Sequence, residues 1–170
     1  MISLPASLRT AFAAAVLAAG ACACSTSSSS SSGAVADAQA GDAIVTCQND
    51  ARVDTYAANL AKASTSGSLK ITLVSSDPAP PSVGTNTWTL HVTDAAGAPI
   101  SNAPLTIASF MPDHGHGSSV KAVITAQADG NYSVTPLYLF MPGVWRITFS
   151  LPGADAAPPE DVVFFFCVAG

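Results

Sequence analysis

Two of the three histidines in the chain stand two residues apart, in Phe110-Met111-Pro112-Asp113-His114-Gly115-His116-Gly117. In an extended segment residues i and i+2 project to the same side, so both imidazoles can turn toward one ion. Gly115 and Gly117 present no Cβ and let the backbone bend around that approach. Met111 places a thioether just upstream, and Phe140-Met141-Pro142 repeats the Phe-Met-Pro opening before a second turn. If both turns lie at one end of the fold, Met111, His114, His116 and Met141 make a two-thioether, two-imidazole set. Thioether with imidazole favours Cu(I), and the imidazoles also hold Cu(II), so copper is the expected metal. Zinc would ask for more nitrogen or thiolate ligands, and Asp113 would have to contribute. A blue-copper electron-transfer site needs a Cys beside two His, and no Cys lies near this loop. A structural reading competes with the metal one. In it Met111 and Met141 plug the end of a core, their prolines fix the turns, and the histidines form a solvated tip.

The elements that must position this loop read as strands. Leu69, Ile71 and Leu73 alternate with Lys70 and Thr72, and Trp88, Leu90 and Val92 alternate with Thr89, His91 and Thr93. Leu105 and Ile107 follow, then Val120–Ala126 and Asn131–Phe140. Trp145, Ile147, Phe149 and Leu151 alternate with Arg146, Thr148 and Ser150, and Val162–Val168 closes the set. Period-two runs of this length describe half-buried strands. Pro80-Pro81, Asp94-Ala95-Ala96-Gly97, Asp129-Gly130-Asn131, Pro142-Gly143 and Pro152-Gly153 are turn signals between them. The expected fold is all-β, an immunoglobulin-like antiparallel β-sandwich of about seven strands. A short N-terminal helix is expected over Asp50–Ala63, where Val53, Tyr56, Ala57 and Leu60 share one stripe. Trp88 and Trp145 fall on the inward phase as core anchors, and His91 on the outward phase.

Cysteine use and the amino terminus speak to location. Arg9 is the only charge before Asp37, and it precedes the apolar run Ala11–Ala19. That run is too short to span a bilayer and has the form of an export signal core. It ends in Ala19-Gly20-Ala21-Cys22, which resembles a bacterial lipobox, and the resemblance implies that Cys22 is lipidated and becomes the mature N-terminus. Cleavage after Ala23 is the alternative, and the fate of Cys24 is open. A Ser-rich stretch follows that can bury no apolar area, an expected tether with a reach of roughly 25 Å. The expected organisation is an export signal over 1–21, lipidated Cys and flexible tether over 22–44, and the sandwich over 45–170. Cys47 and Cys167 remain as one pair in an oxidising compartment, read as a buried disulfide. The expected location is outside the cytoplasm, facing the periplasm or cell surface, with the membrane reached through the lipid.

Composition narrows the function classes. The chain has 170 residues, 49% of them hydrophobic and 10% charged, with a net charge of −5. Soluble domains usually carry about 25% charged residues, so neither an acidic disordered tail nor an ion-pair-laced surface fits. Six basic residues against eleven acidic ones, without a basic cluster, exclude nucleic acid as an expected partner. No serine nucleophile sits in a recognisable elbow and no Gly-rich phosphate loop follows a strand, so no enzyme activity is expected.

The segments Asn86-Thr87-Trp88-Thr89-Leu90, Asp94-Ala95-Ala96-Gly97-Ala98-Pro99, Met111 to Gly117 and Phe140-Met141-Pro142-Gly143-Val144-Trp145 resemble the YtkA-like domain family. The resemblance covers roughly Leu69–Val168 and is most specific in the Met-Pro to His-Gly-His segment. Such domains are small exported or membrane-anchored β-sandwiches, distantly similar to the FixH group associated with copper supply to oxidases. The resemblance implies His114 and His116 as copper ligands, with Met111 and Met141 as further candidates, and a copper-accepting protein as a partner. The rival expectation is an immunoglobulin-like structural or interaction module that holds no metal.

Overall fold

Leu69, Ile71 and Leu73 are fully buried while Lys70 between them is exposed, as expected of a strand with one face on a core. The computed structural model describes residues 47–153 and 157–170. The expected signal segment 1–21, Cys22, Cys24 and the tether over 22–44 lie outside the described residues. Nine strands follow in order: β1 (Leu60–Ala63), β2 (Leu69–Asp77), β3 (Gly84–Asp94), β4 (Thr106–Met111), β5 (His116–Gly117), β6 (Val123–Ala126), β7 (Asn131–Leu139), β8 (Gly143–Leu151) and β9 (Glu160–Val168). Seven coincide with the periodic runs of the sequence; β1 and β5 are additional.

The strands form two antiparallel sheets, ordered β1-β2-β3-β7-β6 and β5-β4-β8-β9. With the two additional strands set aside, β2-β3-β7-β6 against β4-β8-β9 is the four-plus-three arrangement of an immunoglobulin constant-type sandwich. Trp88 of the first sheet and Trp145 of the second are fully buried. The Trp88 ring meets Phe149, Phe164 and Phe166 of the opposite sheet at centroid distances of 6.2, 6.3 and 5.4 Å, edge-to-face or tilted as ring quadrupoles prefer.

The expected helix over Asp50–Ala63 does not form. One 3-10 turn at Cys47–Asn49 is followed by irregular chain and then by β1. The reason is tertiary. β9 is an edge strand, and an open edge exposes unpaired backbone groups. The Asp54 backbone N–H donates to the Phe165 carbonyl at 2.8 Å, and the Asp54 carboxylate accepts from the Phe165 N–H at 2.8 Å. A helix would have spent the Asp54 N–H internally and left Phe165 bare. Lys62 of β1 then reaches the Asp54 carboxylate at 2.6 and 2.8 Å, which fastens the edge of one sheet to the edge of the other.

Cys47 and Cys167 form a disulfide, with Cα atoms 5.3 Å apart. Its position differs in one respect from the buried bridge expected. Cys167 lies on the outward phase of β9, half-buried, while Cys47 is covered. The bridge therefore pins the N-terminal turn to the outer face of the second sheet and not into the core.

Candidate metal centre

Register places the candidate residues at one end of the sandwich. Gly84 pairs with Leu139 and Gly143 pairs with Val168, so the β7–β8 turn holding Phe140 and Met141 lies beside the C-terminal end of β9. β4 runs alongside β8 and ends at Met111 in the same region. His91 pairs with Asn131 at the far end of β7 and stands apart from the loop.

The His-x-His segment is not extended. The backbone N–H groups of His114 and Gly115 both donate to the Met111 carbonyl, at 3.2 and 2.9 Å, and Gly115 has φ 70°. The chain thus makes a tight hairpin and returns as β5, with Met111 opposite His116 and Phe110 opposite Gly117. Glycine at 115 supplies the left-handed conformation the turn requires. Glycine at 117 is needed for another reason, since a Cβ there would collide with the Ser109 carbonyl oxygen. The imidazoles still meet, through the turn and not through strand alternation. Their centroids are 5.6 Å apart with planes 86° apart. An ion about 2.0–2.1 Å from one nitrogen of each ring is compatible with that separation.

His116 is further held by stacking. Phe140 lies on it at 5.4 Å and 26°, and Trp145 meets Phe140 in a T-shaped contact at 5.4 Å and 84°. The Trp145 indole N–H donates to the Met141 carbonyl at 3.0 Å, fixing the backbone of the second Met-Pro turn. Thus a fully buried tryptophan positions both Phe140 and Met141. Phe140 is 39% exposed and Met141 half-buried.

The two thioethers occupy different environments. Met111 is 0% exposed and belongs to the core cluster. Its ε-methyl lies against Gly143, 2.6 Å from where a Cβ would stand. Met141 sits at the margin of the same cluster. The end of the sandwich thus carries two exposed histidines and the half-buried Met141, with Met111 enclosed in the core.

Asp113, the carboxylate at the loop tip, is engaged elsewhere. Both of its oxygens accept from Arg52, at 2.8 and 2.7 Å, and the same guanidinium holds Asp50. Arg52 keeps the Asp113 carboxyl below the usual carboxylate range and the Asp50 carboxyl at about 2; the two carboxylates push the arginine further up. Among the described residues no group of three or more His, Cys, Asp or Glu is arranged to hold a metal. Asp113, held by Arg52, stands in no carboxylate-containing metal group.

Two participants escaped the sequence reading. Phe140 stood in the quoted Phe-Met-Pro repeat, where its ring had no assigned role. Arg52 carries no local signal, because its partner Asp113 lies 61 residues away in the chain. Comparison with curated proteins and with solved structures finds no significant match. A family model described as YtkA-like matches residues 63–150, more than half of the 170-residue chain. The match spans both Met-Pro turns and the histidine hairpin between them, and on it the chain belongs to the YtkA-like family.

Proposed function

We propose that this YtkA-like protein is an exported, lipid-anchored β-sandwich domain that binds copper through His114, His116, Met141 and Met111. In this reading it handles the ion outside the cytoplasm or delivers it to a copper-accepting protein. The observation that carries the reading is the 5.6 Å approach of the two imidazoles at the sandwich end that also holds both Met-Pro turns. Copper is preferred to zinc on ligand chemistry. Asp113 is engaged by Arg52, so the remaining donors are imidazole and thioether, a pairing suited to Cu(I). Export is supported by the Cys47–Cys167 disulfide, a bond that persists in oxidising compartments. The lipid anchor rests on Ala19-Gly20-Ala21-Cys22. Copper is cargo in this reading, and no catalytic residue is assigned.

Titration of the protein with Cu(I) under competition from a chelator, beside the His114→Ala/His116→Ala variant, tests the proposal. Binding by the native chain and its loss in the variant is the expected result. Equal binding by both removes the hairpin from the site.

One observation favours a second reading. The complete burial of Met111 suits a core plug, and the hairpin would then be the contact surface of an interaction module that holds no metal. In that case the native chain binds no copper, and Met111→Ala changes stability alone.

A further inference from the structure

We propose that Arg52 determines the metal preference of the hairpin by withholding Asp113 from it. This rests on the metal-binding reading above and goes beyond its ligand set. Asp113 directly precedes His114 and is the carboxylate of the hairpin itself. As paired, it and the two imidazoles are not arranged to hold a metal; freed, it would offer an oxygen beside two imidazole nitrogens, donors of the kind zinc and other borderline divalent ions accept. In the structure both of its oxygens are taken by the Nη1 and Nη2 groups of Arg52, at 2.8 and 2.7 Å. This forked pairing uses the carboxylate's acceptor geometry as well as its charge.

The clamp does not swing freely. Arg52 Nε donates to Asp50 Oδ1 at 2.9 Å and its Nη2 to Asp50 Oδ2 at 2.6 Å, while its backbone N–H donates to Asp50 Oδ1 at 2.8 Å. Asp50 in turn closes the turn that begins at Cys47, its N–H donating to the Cys47 carbonyl at 3.1 Å. Cys47 is bonded to Cys167 of β9. The guanidinium is therefore delivered to the hairpin from a covalently fixed segment. Asp50 and Arg52 lie before residues 63–150, the stretch matched by the family model, and Asp113 lies within it.

The consequence is a difference between ions. With Asp113 paired, the hairpin offers uncharged imidazole and thioether donors, which suit a soft monovalent ion. Releasing Asp113 adds a hard anionic oxygen and one negative charge. Both favour a divalent ion over a monovalent one, because the Coulomb attraction scales with the ion's charge. The side chains of Arg52 and Asp113 are 40% and 49% exposed, so the comparison is made at one fixed ionic strength.

The test measures Zn(II) and Cu(I) affinities of the full chain, of Arg52→Gln, and of Arg52→Gln/Asp113→Asn, by competition with chromophoric chelators. Arg52→Gln is expected to raise Zn(II) affinity roughly 10-fold or more, the scale on which outer-shell partners act on a metal. Its Cu(I) affinity is expected to move by less than about threefold, as for an exposed charge. The double variant is expected to lose the zinc gain. An unchanged Zn(II)-to-Cu(I) ratio in Arg52→Gln, or a gain that persists without the Asp113 carboxylate, overturns the proposal. Should the native chain bind no Cu(I), the copper reading fails by itself, and the zinc comparison between the two variants still decides the clamp. Thermal melts of all three forms confirm that each is folded.

Discussion

The imidazole of His116 lies on the ring of Phe140, centroids 5.4 Å apart and planes within 26° of parallel. His116 lies in β5 and Phe140 in the β7–β8 turn, so the stack joins the histidine hairpin to the Met-Pro turn after β7. Phe140 is itself braced by a T-shaped contact with Trp145, so the position of a surface imidazole is set by a residue at 0% exposure. A ligand ring held before the ion arrives loses less freedom on binding, which is the physical content of preorganisation.

Phe140→Ala should therefore weaken copper binding roughly 10-fold while lowering stability by about 1 kcal/mol, the scale of one aromatic pair. Phe140→Tyr, which keeps the ring, should retain the affinity. Chelator competition and a denaturant melt on the same samples read the two effects. If Phe140→Ala binds copper as the native chain does, the stack has no positioning role.

The thioethers should separate by environment. Met141→Leu is expected to weaken Cu(I) and leave Cu(II) and the melting temperature nearly unchanged, because Met141 is half-buried at the margin of the core. Met111→Ala is expected to cost about 2–5 kcal/mol, as other deletions from a packed core do, and Met111→Leu less than about 1.5 kcal/mol. Denaturant unfolding and metal titration of each variant make the comparison. Equal Cu(I) loss in both Leu variants would make Met111 a ligand that leaves the core to bind.

Reduction of Cys47–Cys167 should destabilise the domain strongly. The bridge spans a sequence separation of 120 residues, for which the chain-entropy account gives about 5 kcal/mol. The turn carrying Asp50 and Arg52 should loosen at the same time, since it begins at Cys47. Calorimetry with and without dithiothreitol measures the effect, and an unchanged melting temperature would contradict it.

The Asp50–Arg52–Asp113 group has a definite sign in its pH dependence. Both carboxyls have folded-state pKa values below their unfolded ones, Asp50 at about 2. Their contribution to stability is therefore present above the unfolded value of about 3.9 and is lost as pH falls from there toward 2. Glu160, lowered by its hydrogen bond from Ser66, adds to the same acid loss. Carboxyl titration by NMR should find Asp50 at about 2 in the native chain. In Arg52→Gln it should return toward about 3.9. Added salt should diminish the effect, because these groups are solvent-exposed.

Strand content was legible in the sequence because burial on one face imposes a period of two, and that period is written in residue types. The runs at Leu69–Leu73, Trp88–Val92 and Trp145–Leu151 all lie in strands with their apolar residues inward. Asp50–Ala63 misled for the converse reason. Its stripe of Val53, Tyr56, Ala57 and Leu60 satisfies a helical period, yet the open edge of β9 offered Asp54 partners that no local pattern records. The short β5 was hidden as well, since two residues carry no period.

The sequence by itself determined the sandwich, its paired cysteines and the pair of Met-Pro turns, because covalent spacing and alternation are local properties of the chain. The tertiary structure alone decided which side chains meet. It turned His114 toward His116 through a hairpin at Gly115, laid Phe140 on His116, enclosed Met111 and brought Arg52 to Asp113. Contacts between residues far apart in the chain depend on how two sheets register and where their edges are closed, and neither is encoded in any single run of residues.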